Sequence, residues 1–242
     1  MGDSCNLLTL GCAGVRSMIR AAILDLDGLM VYSEDICLDA WQRTLAPYGK
    51  AMSDEMYRML IGTSQKASIE HVITQMGVNA AHEELESAFW VALVDLTDRG
   101  VRPMPGVHEL VAHLRSRGLK LGVASNSVTA YVRKAVEQID LLSLFDSVAG
   151  VDQVAEGKPA PDIYLRVARD LGCAPEACLA VEDSPSGVQA ATTAGMTCVL
   201  VPNPDLDLAG DCGAHFVFPT LGELDRNLEL VLSSPTAIGG AS

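Results

Sequence analysis

From residue 103 onward, short apolar runs alternate with segments of helical period, and this alternation restricts the fold more than any other feature of the chain. It is the pattern of a parallel sheet covered by helices. Val107, Leu110, Val111 and Leu114 fall at i, i+3, i+4 and i+7 and make one apolar helix face, after which residues 119–124 read as a strand. Val128, Val132, Ala135, Val136 and Ile139 repeat the stripe, and a short strand follows near residues 147–149. Ile163, Tyr164, Val167, Ala168 and Leu171 make a third helix, with Pro161 suited to its first turn. A strand at 179–181, a helix of small residues at about 186–194 and a strand at 197–201 continue the series. A weaker strand at 215–217 and a helix carrying Leu221, Leu224 and Leu228 end it.

The first strand, residues 21–24, stands far upstream of this series, and what separates them differs in kind. Residues 33–102 hold both tryptophans and four of the nine methionines, with helical period and no obvious strand. Helices at 35–46, 54–60, 66–76 and 82–98 predict a small bundle inserted after the first strand. The flanking segments Val31-Tyr32-Ser33 and Gly100-Val101-Arg102-Pro103 are expected to be the two connecting strands of a hinge. The expected organisation is therefore α/β: a parallel-sheet core at 18–32 and 101–232, an all-helical domain at 33–100, and flexible ends at 1–17 and 233–242. Met18, just before the first strand, is an alternative start to Met1.

With 31 acidic and 17 basic residues the formal charge is −14, which argues against non-specific binding to nucleic acid or to an anionic membrane. A small anionic substrate stays open, because distant surface charge is screened beyond about 8 Å at physiological salt. No apolar stretch approaches the roughly 20 residues of a membrane helix. The seven cysteines are scattered, without CxxC or Cys/His spacing, and read as reduced thiols of a cytoplasmic protein. The five histidines form no metal spacing.

Chemistry concentrates just past the predicted strands, where ligands bind in open parallel sheets. Asp25-Leu26-Asp27-Gly28 closes the first strand with two acids. Two like charges about 4 Å apart repel by roughly 4 kcal/mol at an effective dielectric near 20, so such a pair calls for a proton or a metal ion, although Asp-Gly also suits a plain turn. Ser125-Asn126 offers a hydroxyl, an amide and backbone N–H groups, or simply an N-cap. Lys158, one of five lysines, is boxed between Gly157 and Pro159 and is aimed by its backbone towards an extended conformation. Glu182-Asp183-Ser184 supplies a second acid pair, with an N-cap as the plainer use of Asp183 or Ser184. Four carboxylates converging with one lysine need a divalent cation, and ligation by oxygen alone suits Mg²⁺ better than zinc.

Asp25-Leu26-Asp27-Gly28, Ser125-Asn126, Gly157-Lys158-Pro159 and Glu182-Asp183, in that order, resemble the four motifs of the haloacid dehalogenase-like hydrolases. The inserted segment resembles the cap of the branch that holds small-molecule phosphatases and β-phosphoglucomutase. The resemblance implies a modified Rossmann-like core with a cap closing over its active site. It implies that Asp25 attacks a phosphate monoester to form an aspartyl-phosphate, and that Asp27 carries the proton to and from the reacting oxygens. It further implies that Asp25, the Asp27 carbonyl and Asp183 hold Mg²⁺ with Glu182 nearby, and that Ser125 and Lys158 grip the phosphoryl group while Lys158 keeps Asp25 charged.

A β-phosphoglucomutase-like mutase is the runner-up, but Cys37 stands where the mutases carry a His and Gln65 where they carry a phosphate-binding Arg, with Lys66 or Arg58 as substitutes. A catalytically silent binding protein is the alternative of another class. Thr63, Ser64, Gln65 and Lys66, on a predicted cap loop, are candidates for contacting the leaving group, or a solvated turn. The expected partner is a small phosphorylated metabolite, bound by a monomer.

Overall fold

The computed structural model describes residues 18–61, 63–203 and 212–233. The ends expected to be flexible lie outside the described residues, apart from Ser233, which closes the last helix. Strand β1 (Ala21–Leu24) is buried along its whole length, as a continuous apolar run in the middle of a parallel sheet requires. After it the chain makes β2 (Val31–Tyr32) and then the helices α1 (Glu34–Leu45), α2 (Asp54–Arg58), α3 (Gln65–Met76) and α4 (His82–Leu96). It returns through β3 (Arg102–Pro103), which pairs antiparallel with β2 and carries the Arg102 guanidinium 4.0 Å above the Tyr32 ring. The two hinge strands predicted from the sequence thus meet as a two-residue ribbon.

The remainder alternates as expected: α5 (Val107–Ser116), β4 (Lys120–Ala124), α6 (Thr129–Gln138), β5 (Ser147–Ala149), α7 (Asp162–Asp170), β6 (Cys178–Glu182), α8 (Pro185–Thr193), β7 (Thr197–Leu200) and β8 (Phe216–Val217). The single helix expected at the end is two, α9 (Leu221–Arg226) and α10 (Leu228–Ser233), parted at Asn227. Pro161 stands as the N-cap of α7, one place ahead of its first turn.

The six strands run parallel in the order β5-β4-β1-β6-β7-β8, an α/β Rossmann-like sheet. Side chains alternate across it. Ala22 and Leu24 join the core beneath α5, α6 and α9, while Ala21 and Ile23 join the core beneath α7 and α8. In the sequence β1 is followed by β4 on one side and β6 on the other, so the strand order reverses beside β1, and ligand crevices open at such a reversal. The register makes the crevice concrete. Leu24 lies opposite Val123 and Val181, so Asp25 is level with Ala124 and Glu182 and one step from Ser125.

Leu45, Ile69, Val72, Leu85 and Leu93 of the helical insert are buried and continue the core that Ala22 and Leu24 join. Trp41 of α1 meets Phe89 of α4 at 4.6 Å between ring centroids. Lys134 of α6 ties the insert to the sheet domain, donating to the Val94 carbonyl at 3.0 Å and pairing with Asp98 at 2.7 Å.

Candidate active site

Asp25 leaves the end of β1 with its backbone N–H bonded to the Val181 carbonyl at 3.0 Å, which fixes it beside β6. Lys158, only 5% exposed, puts its ammonium on Asp25 Oδ1 and 2.5 Å from Glu182 Oε1. The backbone around the lysine is clamped by Asn126, whose Oδ1 accepts the Lys158 N–H at 2.7 Å and whose Nδ2 donates to the Lys158 carbonyl at 3.1 Å. Both ends of that amide brace the Lys158 backbone, and Asn126 also lines the cavity above the site. The Lys158–Pro159 peptide is cis. Tyr164 of α7 donates its hydroxyl to Glu182 Oε1, and Glu182 Oε2 accepts the Asp183 N–H at 3.3 Å.

Glu182 lies so close to α8 that a Cβ on Gly187 would stand 1.9 Å from Oε2, and only glycine leaves room for the carboxylate. Ser184 caps the same helix, accepting the Gly187 N–H at 3.3 Å, so the N-cap reading holds for Ser184 while Asp183 is free for other work. Asp183 accepts from Asn203 Nδ2 at 3.1 Å, and Asn203 Nδ2 also reaches Glu34 Oε1 at 3.2 Å, linking a strand-end acid to the first residue of α1. Gly28 is required here. Its φ of 78° is left-handed, and a Cβ would meet Asp183 Oδ2 at 2.2 Å and Asn203 Nδ2 at 2.3 Å.

Three carboxylates thus converge, not four. Asp27 turns aside, with Oδ2 accepting from Ser125 at 3.2 Å and Ser127 at 2.8 Å, and Oδ1 from the Tyr131 hydroxyl at 2.9 Å. Burial, helped by the Asp27 charge, pushes the Tyr131 phenol well up, so it remains a donor to that carboxylate. Three hydroxyls thus fix the orientation of the half-buried Asp27 carboxylate.

One oxygen from each of Asp25, Glu182 and Asp183 lies within 4.8 Å of the other two, all three side chains being buried. Burial pushes the Asp25 carboxyl up to about 7, with Glu182 and Asp27 adding to the rise and Lys158 opposing it. Burial and then Asp25 and Glu182 raise Asp183 well above the usual carboxylate range. Burial alone would push the Lys158 ammonium down, but Asp25 and Glu182 more than reverse it. Lys158 therefore pulls Asp25 towards its charged form against burial and the neighbouring carboxylates. Excess negative charge on oxygen-only donors fits a hard divalent cation. Glu182 is already committed to Lys158 and Tyr164, so Asp25 and Asp183 are the freer donors.

Above these groups lies a cavity of about 200 Å³, lined on its sheet side by Asp25, Asp27, Ser125, Lys158 and Asp183 and on its other side by residues of the insert. Of the four cap residues singled out by sequence, Thr63 and Gln65 line it. Ser64 and Lys66 are exposed and do not, since Ser64 caps α3 by accepting the Ala67 N–H at 3.3 Å. Cys37 lines it too, its thiol pushed well up by burial and by Asp27 and Glu34, and therefore neutral.

Sequence reasoning missed Ser127, Tyr131, Tyr164 and Asn203. The two tyrosines sit in buried helix faces, where a phenol needs a partner, and Asn203 follows the end of β7, the position already known to matter for the other motifs. No helix among the described residues is long and apolar enough to cross a membrane.

A family model described as haloacid dehalogenase-like hydrolase matches residues 22–201. The YhcW protein of Bacillus subtilis (strain 168) is 35% identical over 187 residues, 77% of this chain and 84% of that protein. Hexitol phosphatase B of Escherichia coli (strain K12) is 31% identical, over 77% of this chain and 85% of its own length. Among solved structures, CbbY from Rhodobacter sphaeroides in complex with phosphate superposes with a TM-score of 0.78 at 29% identity, over 86% of this chain and 96% of that one.

Proposed function

The chain belongs to the haloacid dehalogenase-like hydrolases and is a phosphoric monoester hydrolase, and from that premise we propose that it is a Mg²⁺-dependent phosphatase of a sugar phosphate or related small metabolite. The observation that carries the proposal is the cluster at the end of β1, where Asp25, Glu182 and Asp183 converge, Lys158 pairs with the first two, and a second aspartate two residues on is held by hydroxyls. Asp25 attacks phosphorus and becomes an aspartyl-phosphate. Asp27 gives its proton to the leaving oxygen and takes one from the hydrolytic water. Lys158 and Ser125 hold phosphoryl oxygens, with Asn126 aiming Lys158 and Asn203 steadying Asp183.

Asp25, Asp183 and the Asp27 carbonyl, with Glu182 beside them, would hold Mg²⁺, which would supply charge neutralisation for the phosphoryl group and favour ionised Asp25. Hydrolysis is preferred over mutase chemistry because the neutral Cys37 thiol provides no base and Lys158 is the one cation among the described residues lining the cavity. The free thiols of Cys37, Cys173, Cys178, Cys198 and Cys212 support a reducing, cytoplasmic setting, and we take the enzyme to act as a monomer.

The test is phosphate release from phenyl phosphate. It is expected with Mg²⁺ and lost on adding chelator; undiminished release in chelator contradicts the proposal. Incubation with β-glucose 1-phosphate and a bisphosphate primer is expected to give no glucose 6-phosphate, and conversion would favour the mutase.

A further inference from the structure

The wall of the cavity contributed by the insert differs in chemistry from the sheet side, and its donors are unevenly used. Trp41, Phe89 and Trp90 form a run of rings with centroid spacings of 4.6 and 5.1 Å, and all three line the cavity. Such a surface receives the apolar face of an organic group. Two of its hydroxyls are occupied: Thr63 donates to the Leu60 carbonyl at 2.7 Å and stands 2.8 Å from Ser68 Oγ. Gln65 is the exception. Its Nε2 is buried without a hydrogen-bond partner among the described residues, although the residue lines the cavity. A buried amide donor left unpaired is costly, and an acceptor on a bound molecule removes that cost.

Charge narrows the choice further. Lys158 is committed to Asp25 and Glu182, and Arg58 and Lys66 are exposed and do not line the cavity. The carboxylate of Glu34 lines the wall beside Asn203. A second phosphate on the leaving group would face that carboxylate with no free cation among the described lining residues, whereas an uncharged hydroxyl can donate to it.

Building on the phosphatase reading, we infer that the substrate carries a single phosphate, on an uncharged leaving group with an apolar face and a hydroxyl or carbonyl oxygen that accepts from Gln65. Gln65 and Glu34 then act as specificity residues, the first recognising that oxygen and the second rejecting a second anion.

The experiment measures kcat/KM for a panel of sugar, polyol and nucleoside monophosphates, their bisphosphate counterparts, and phenyl phosphate, whose leaving group has no acceptor beyond its bridging oxygen. The best monophosphate is expected to exceed its bisphosphate counterpart by at least about tenfold, the scale of an uncompensated like-charge contact. In Gln65→Leu, the ratio of kcat/KM for that monophosphate to kcat/KM for phenyl phosphate is expected to fall about tenfold, the loss of one hydrogen bond. A bisphosphate that is equal or better, or a ratio that Gln65→Leu leaves unmoved, overturns the inference. The monophosphate and bisphosphate comparison uses the unaltered protein, so it decides the matter even if the variant folds poorly. Failure to hydrolyse phenyl phosphate or any panel member overturns the phosphatase reading itself, a result distinct from a wrong preference among hydrolysed esters.

Discussion

The two walls of the cavity are built on opposite terms. On the sheet side, residues from the ends of β1, β4 and β6 and from the Lys158 loop crowd charges together, and nearly every polar atom has a partner. Lys158 alone meets two carboxylates, and Asp27 three hydroxyls. On the side of the insert the surface is largely aromatic and aliphatic, with one orphan donor at Gln65. A change on the sheet side leaves a buried charge unpaired, whereas a change on the other side mostly alters shape. On the proposed reading, the difference assigns the chemistry to the sheet side and the choice of leaving group to the insert.

The largest effect that would break this division is in Asp25. Asp25→Asn is expected to lower turnover more than about a thousandfold for every ester alike. Loss confined to one substrate would mean that Asp25 selects rather than reacts. Asp27→Asn comes next, with kcat down about a hundredfold and KM little changed, as removal of a general acid/base predicts; an equal rise in KM would move Asp27 into binding. On the opposite wall, Trp90→Ala should raise KM about tenfold for the best substrate while kcat stays within about threefold, the scale of one aromatic contact.

Gly187→Ala sharpens the contrast through stability. Its Cβ falls 1.9 Å from the Glu182 carboxylate, and a thermal melt should show a loss of about 1–3 kcal/mol, with overpacking as the cause.

The smallest effect is in pH. Asp25 rises from 3.8 to about 7 on folding, so its contribution is fully present below pH 3.8 and is lost as pH climbs towards 7, where the unfolded chain has ionised and the folded one has not. Metal-free protein should therefore melt a few degrees lower at pH 7 than at pH 5. Mg²⁺ should restore more of that at the higher pH, by binding the ionised site. A melt that rises over this window without metal would show that Asp25 is not held protonated.

Much of the sheet side was legible because it needed only local signals. Apolar runs ending in Asp25, Ser125 and Glu182 mark strand ends, and the hinge segments announced themselves by flanking a change of period. What remained hidden depends on register and on which strands are neighbours. Tyr164 reads as one more apolar residue of a helix stripe until β6 places Glu182 beside it, and Tyr131 stands outside the predicted stripe, with nothing local to show that β1 brings Asp27 to its hydroxyl. The pairing of Asn126 with the Lys158 backbone joins residues 32 apart in the chain, which no local signal shows. In the insert, the start of α3 at Gln65 decided the matter, turning Ser64 to the helix end and leaving Gln65 on the cavity.

The central claim is that Asp25 itself receives the phosphoryl group. Acid quenching during turnover of phenyl phosphate with Mg²⁺, followed by peptide mass analysis, tests it most directly. The peptide carrying Asp25 should gain the mass of one phosphoryl group, and the same peptide of Asp25→Asn should gain none and release no phosphate. Phosphorylation of a different residue, or continued phosphate release by Asp25→Asn, would contradict the account.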